Sequence, residues 1–163
     1  MSTSTPLAVS VSTVIPARPE TVYDLVADVT RMGRYSPETV RTRWLGDATG
    51  PAVGARFKGT NVIGRTRWST SPTMTAADRG VRFAFKVPGT SGPLWTYEFT
   101  PAEEGTLVTE SMTQQQCSPR IIRMMRRAAG VTDRAEHLRQ GMIVTLDRLS
   151  AAAVRVQLES VQF

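Results

Sequence analysis

The chain has 163 residues, of which 40% are hydrophobic and 21% charged, and a net charge of +6. That length suits one domain, 1–163, able to bury roughly two-thirds of its unfolded surface; there is no low-complexity tract or internal repeat, and no apolar run approaches the ~20 residues that a membrane-spanning helix needs. The positive charge comes from eighteen arginines and two lysines scattered along the chain, without a groove-reading or base-stacking motif, so nucleic acid is not an expected partner.

The start, MSTSTPLAVS, lacks the charged and apolar regions of a secretory signal, which makes the cytoplasm the expected compartment and stable membrane insertion unexpected. Cys117 is the only cysteine and His137 the only histidine. An intramolecular disulfide is excluded, a structural zinc site is not expected, and no cofactor is implied.

In chain order, Val9, Val11, Thr13 and Ile15 alternate with Ala8, Ser10, Ser12 and Val14, the period of two that predicts a strand closed by Pro16. The next segment predicts a short helix. Pro19 suits its first turn, Glu20 lies near the positive dipole end, and Val22, Leu25, Val26 and Val29 share one face. A second brief helix over 30–35 stops at Ser36-Pro37, because a residue before proline is driven out of the helical region. Six strands then follow at about 40–45, 55–62, 65–75, 81–87, 94–100 and 106–113, separated by turns rich in Gly and Pro. After Gln116 the segment SPRIIRMMRRAAG reads as a helix, either a lid or a plug at the open end of the sheet. A long helix runs from about 132 to 158, with Val131, Ala135, Leu138, Met142, Leu146, Leu149, Ala153 and Val156 forming an apolar stripe.

This order predicts an α+β fold: a seven-stranded curved antiparallel sheet around a long C-terminal helix, with two short helices after the first strand. One helix cannot fill the concave face of so wide a sheet. A hollow is therefore expected.

Several stretches resemble the SRPBCC, or START-like, superfamily, and within it the polyketide cyclase/dehydrase group. They are IPARPETVYDLVADV, YSPETVRTRWLG, PAVGARFKGTNVIGRTRW, WTYEFTP followed by GTLVTESM, and GMIVTLDRL, in that order over nearly the whole chain. The resemblance implies the helix-grip fold and a cavity for a hydrophobic small molecule. It implies no particular reaction, since the scaffold serves cyclases, hydrolases, carriers and receptors.

Strand parity assigns faces. It sends Val81, Phe83, Phe85 and Val87 inward, and likewise Trp95, Tyr97 and Phe99, Phe57, Gly59 and Asn61, Thr66 and Trp68, and Val108, Glu110 and Met112. Asn61, Trp68, Phe83, Trp95 and Tyr97, with Leu138 and Met142 of the last helix, are the candidate ligand-binding residues, suited to a flat or polycyclic guest or to ordinary core. Trp44 points the same way. Glu110, desolvated among aromatics, is a candidate proton donor or acceptor; it is alternatively a carboxylate bound to an arginine or backbone group, or in water if the parity is off by one. His137 borders the cavity as a second proton-transfer candidate or pairs with Asp133 on the helix surface. Tyr35 is a candidate hydrogen-bond donor at the cavity mouth or a structural tyrosine. Cys117 precedes a helix start, where the dipole lowers a thiol pKa, but no second catalytic group accompanies it.

Two functions follow from this inventory: a cyclase that folds a hydrophobic intermediate and moves a proton, or a carrier that binds such a molecule unchanged. The chain is expected as a monomer or homodimer, the dimer using the outer sheet face.

Overall fold

The computed structural model describes residues 6–116 and 118–162; Cys117 lies outside the described residues. In order, the elements are β1 (Leu7–Ile15), α1 (Pro19–Ala27), a 3-10 helix (Val29–Arg34), β2 (Thr39–Trp44), β3 (Phe57–Ile63), β4 (Thr66–Thr70), β5 (Thr73–Asp78), β6 (Arg82–Lys86), β7 (Leu94–Ala102), β8 (Gly105–Gln114), α2 (Arg120–Ala128) and α3 (Arg134–Val161). The α+β arrangement is the one expected, with a large antiparallel sheet and a long C-terminal helix.

The expected strand over 65–75 is two strands, β4 and β5, which brings the count to eight among the described residues. Ser71-Pro72 divides them. Proline has no N–H to give a ladder, and the Pro72 carbonyl instead accepts from Phe57 N at 3.2 Å. The same break divides the sheet into a five-stranded part, ordered β1-β8-β7-β6-β5, and a three-stranded part, β2-β3-β4. They meet at an isolated bridge between Arg56 and Thr73 and through Met74 N, which donates to Ala55 O at 2.8 Å.

α1 begins as its sequence dictates, with Pro19 in the first turn and Glu20 near the dipole's positive end. Its buried face carries Val22 and Val26, and also Tyr23, whose ring meets Phe99 edge-on at 5.6 Å and Phe83 at 6.3 Å. α3 starts at Asp133, whose side chain caps the helix by accepting from Glu136 N at 3.1 Å. Its stripe is buried from Leu138 through Met142, Leu146 and Leu149 to Ala153; Val156, which the stripe also predicted inward, is exposed, as are Leu158 and Val161 in the last turns. Val81 is likewise exposed, since β6 begins only at Arg82.

The core is not evenly spread. One large cluster joins α1, the 3-10 helix, and Leu146, Leu149, Ala152 and Ala153 of α3 to Phe83, Phe99 and Val108 of the sheet. A small one, made of Val9, Met112, Leu138 and Met142, lies at the N-terminal half of α3. The molecule is solid at the first end and hollow at the second.

Candidate functional site

The hollow is a cavity of about 910 Å³, walled by β3 and β4 on one side, by β6, β7 and β8 on another, and by the N-terminal half of α3. That volume lies within the roughly 300–1,000 Å³ typical of small-molecule sites. α2 runs along its rim, and Ile122, Met125, Arg126 and Ala129 line the cavity. Those four positions follow the i, i+3, i+4, i+7 spacing of one helical face.

Asn61, Trp68, Trp95, Tyr97, Glu110, His137, Leu138 and Met142 all border this space. Two predicted residues do not. Phe83 is fully buried in the large core cluster, held edge-on by Tyr23, Phe85 and Tyr97. Tyr35 is also core, its carbonyl accepting from Arg148 Nη1 at 3.3 Å. Trp44 packs edge-on against Phe57 at 5.9 Å and faces that core too. The aromatic wall of the cavity is instead Trp68, Trp95 and Phe85, the last two stacked at 6.4 Å with ring planes 18° apart.

The central polar feature is Glu110 on β8, opposite Tyr97 on β7 and Val11 on β1. Glu110 is 3% exposed, and its Oε1 accepts from the Tyr97 hydroxyl at 2.8 Å. Its Oε2 is buried with no hydrogen-bond partner. Desolvation disfavours the charged form and, against the smaller opposing effect of the Tyr97 bond, pushes the Glu110 carboxyl up from 4.5 to about 8. Burial also raises Tyr97, with the Glu110 charge adding to it. At neutral pH the pair is a neutral phenol donating to a neutral carboxylic acid. Because Oε1 is already an acceptor, the acid form is best served with its proton on Oε2, the buried oxygen that has no partner among the described residues.

A second polar group lies at the rim. Glu38 Oε2 is 3.4 Å from Arg134 Nη1 and 3.4 Å from His137 Nε2. His137 therefore pairs across the fold rather than with Asp133, whose carboxylate is occupied by the helix cap. Arg126 Nη1 donates to Ser118 Oγ at 3.0 Å, and Gln114 Nε2 donates to the same oxygen at 3.2 Å. Among the described residues Arg126 makes no ion pair. Asn61 Oδ1 accepts from Thr39 Oγ1 at 2.8 Å, which leaves its amide N–H groups available at the cavity surface.

Glu38, Arg126 and Arg134 are absent from the candidates read off the sequence. Glu38 and Arg134 are 96 positions apart, so no local pattern links them. Arg126 had a legible signal: an arginine on the same helical face as Ile122, Met125 and Ala129.

A family model described as polyketide cyclase / dehydrase and lipid transport matches residues 6–150. No curated protein matches the chain. Among solved structures it is similar to the Polyketide_cyc-like protein Cgl2372 from Corynebacterium glutamicum, at 29% identity and a TM-score of 0.56, covering 97% of this chain and 95% of that one. It also shares its fold with TTHA0849 from Thermus thermophilus, at 20% identity and a TM-score of 0.70 over 92% of this chain and 99% of the other. The di-domain ARO/CYC StfQ from the steffimycin biosynthetic pathway shares the fold at 14% identity and a TM-score of 0.71, over 92% of this chain and 51% of its own.

Proposed function

The chain belongs to the polyketide cyclase/dehydrase and lipid transport family, and we propose that its cavity binds a small hydrophobic molecule with a polyketide-like, aromatic or terpenoid body and that Glu110 moves a proton on it. The observation that carries this reading is the neutral, buried Glu110 carboxyl, tethered on one oxygen by Tyr97 and unpartnered on the other. A carboxylic acid that titrates near neutrality in an apolar cavity is suited to general acid and base work.

For a guest bearing a hydroxyl one carbon from an acidic C–H, the chemistry is a dehydration. The Oε2 proton passes to the hydroxyl as the C–O bond breaks and water leaves. The resulting carboxylate takes the proton of the adjacent carbon as the C=C bond forms, which restores the acid. Tyr97 stabilises the transient carboxylate through its bond to Oε1. Trp68 and Trp95 hold the flat body, Leu138 and Met142 fill around it, and Asn61 offers its amide to a carbonyl oxygen.

The second reading, a carrier that releases its guest unchanged, is supported by the walls around Glu110, where Met112, Met142 and Trp95 supply apolar surface, while His137 is engaged with Glu38 at the rim. Native mass spectrometry of the protein as purified, followed by incubation of a β-hydroxy ketone with an aromatic body, separates the two. Loss of one water from the ketone by wild type, with Glu110→Gln slowed at least about a hundredfold at similar affinity, is the result expected for general acid catalysis. A bound but unaltered ketone, or equal rates in both proteins, would remove the chemistry and leave the carrier.

A further inference from the structure

The cavity is not uniformly greasy. At the rim beneath α2 it is lined by two guanidinium groups, Arg126 and Arg134, and by one carboxylate, Glu38. Glu38 is already shared, its Oε2 lying at 3.4 Å from both Arg134 and His137. Arg126 has only the neutral Ser118 hydroxyl, at 3.0 Å, among the described residues. It is half-buried on the cavity side of α2, while its helix neighbours Arg120, Arg123 and Arg127 are exposed. Burial pulls its guanidinium below the ordinary value, the nearby Arg134 charge acts in the same direction, and the Glu38 carboxylate opposes them more weakly.

A partly desolvated cation facing the cavity, beside a second cation and with its neighbouring carboxylate, Glu38, held by Arg134 and His137, has no counter-charge of its own. Further along β8 from Gln114, the wall about Glu110, Met112 and Trp95 presents apolar surface and a neutral acid. A guest that fits both ends is an amphiphile. Resting on the hydrophobic-ligand reading above, we infer that the natural ligand is an amphiphilic anion whose apolar body lies against Trp95 and Met112 and whose carboxylate or equivalent oxyanion is gripped at the rim by Arg126, with Arg134 beside it. The guanidinium fork suits a planar oxyanion, which can accept two parallel N–H bonds. The same polarity orders the guest in the cavity, head at α2 and body inward, so its reacting carbons face Glu110.

The test uses two probes with the same aromatic body, anilinonaphthalene sulfonate and neutral phenylnaphthylamine, titrated into the intact protein by fluorescence, with mutual displacement to show a shared cavity. The sulfonate should bind more tightly than the neutral probe and lose that advantage as salt rises. Arg126→Gln should weaken the sulfonate about tenfold or more, the loss expected for a charge-assisted bond, and leave the neutral probe unchanged. Arg126→Lys should restore part of the affinity, whereas Arg123→Gln, which removes the same charge from the outer face of the same helix, should have no effect. Equal affinities for the two probes, or equal losses with Arg126→Gln and Arg123→Gln, would overturn the anion inference and leave the hydrophobic cavity standing. Failure of the neutral probe itself to bind would overturn both.

Discussion

Burial of Glu110 is destabilising work done by the rest of the fold, and its sign is measurable. The carboxyl titrates at about 8 when folded against an ordinary 4.5, so between those values the native state holds more protons than the unfolded one, and stability falls as pH rises through that window and levels off above it. Every tenfold difference in proton affinity between the two states corresponds to about 1.4 kcal/mol. Glu110→Gln keeps the shape and removes the titration: thermal melts should show wild type losing stability between pH 5 and pH 8 and the variant flat, with the variant the more stable of the two at pH 8. Tyr97→Phe deletes the bond that favours the carboxylate, so it should move the wild-type titration further up, visible as a shifted limb in a pH profile of stability or turnover. Alternation, with the larger and more apolar set turned inward, put Glu110 among aromatics and left water as the alternative if the parity slipped by one; the structure buries it beside Tyr97. Alternation says nothing of depth along the inner face. For that reason Phe83 and Trp95, both inward by the same rule, end respectively in the core and at the cavity; Tyr35, which follows the 3-10 helix, has no such rule to place it and lies in the core.

Single elements carry two environments at once. α3 packs its C-terminal half, through Leu146 and Leu149, into the large core cluster, and gives its N-terminal half, through His137, Leu138 and Met142, to the cavity. Leu146→Ala should therefore cost about 2–5 kcal/mol in denaturant unfolding, as for other buried leucines. The stripe of apolar residues announced the helix and its buried face, but a stripe has no mark for where packing gives way to a void. Gly105, at the turn into β8, is a tight approach of backbone to backbone at the solid end: a Cβ there would meet Ile15 O at 2.2 Å and Pro16 Cα at 2.8 Å, and its φ of +140° disfavours side chains as well. Gly105→Ala should destabilise by about 1–3 kcal/mol or more, the range of overpacked sites, read from the shift in urea midpoint. α2 was legible as a helix, whereas the neighbours of its Arg126, Ser118 among them, are set by where the chain returns from β8.

At the scale of the molecule, a hollow end gives a guest something to stabilise. Phenylnaphthylamine at about a hundred times its dissociation constant should add about 2.7 kcal/mol, roughly 5–10 °C in melting temperature for a protein of this size, and Trp68→Ala or Trp95→Ala should shrink that gain. The curved sheet around one helix was predictable from the order of strands and helices, because wide sheets and single helices leave few alternatives. The join between sheets was not, since it depends on one proline at a position the alternation pattern reads straight through. That join has its own corollary. Among the described residues, β2, β3 and β4, with Asn61 and Trp68 upon them, are hydrogen-bonded to β5 and its partners along a short stretch, Gly54 to Phe57 against Pro72 to Met74. A seam this short shares few hydrogen bonds between the two parts, so it opens locally at less cost than a full ladder does. Amide protons at this seam should accordingly exchange with deuterium sooner than those deep in the β7–β8 pairing, and sooner in the empty protein than in one whose chamber is filled.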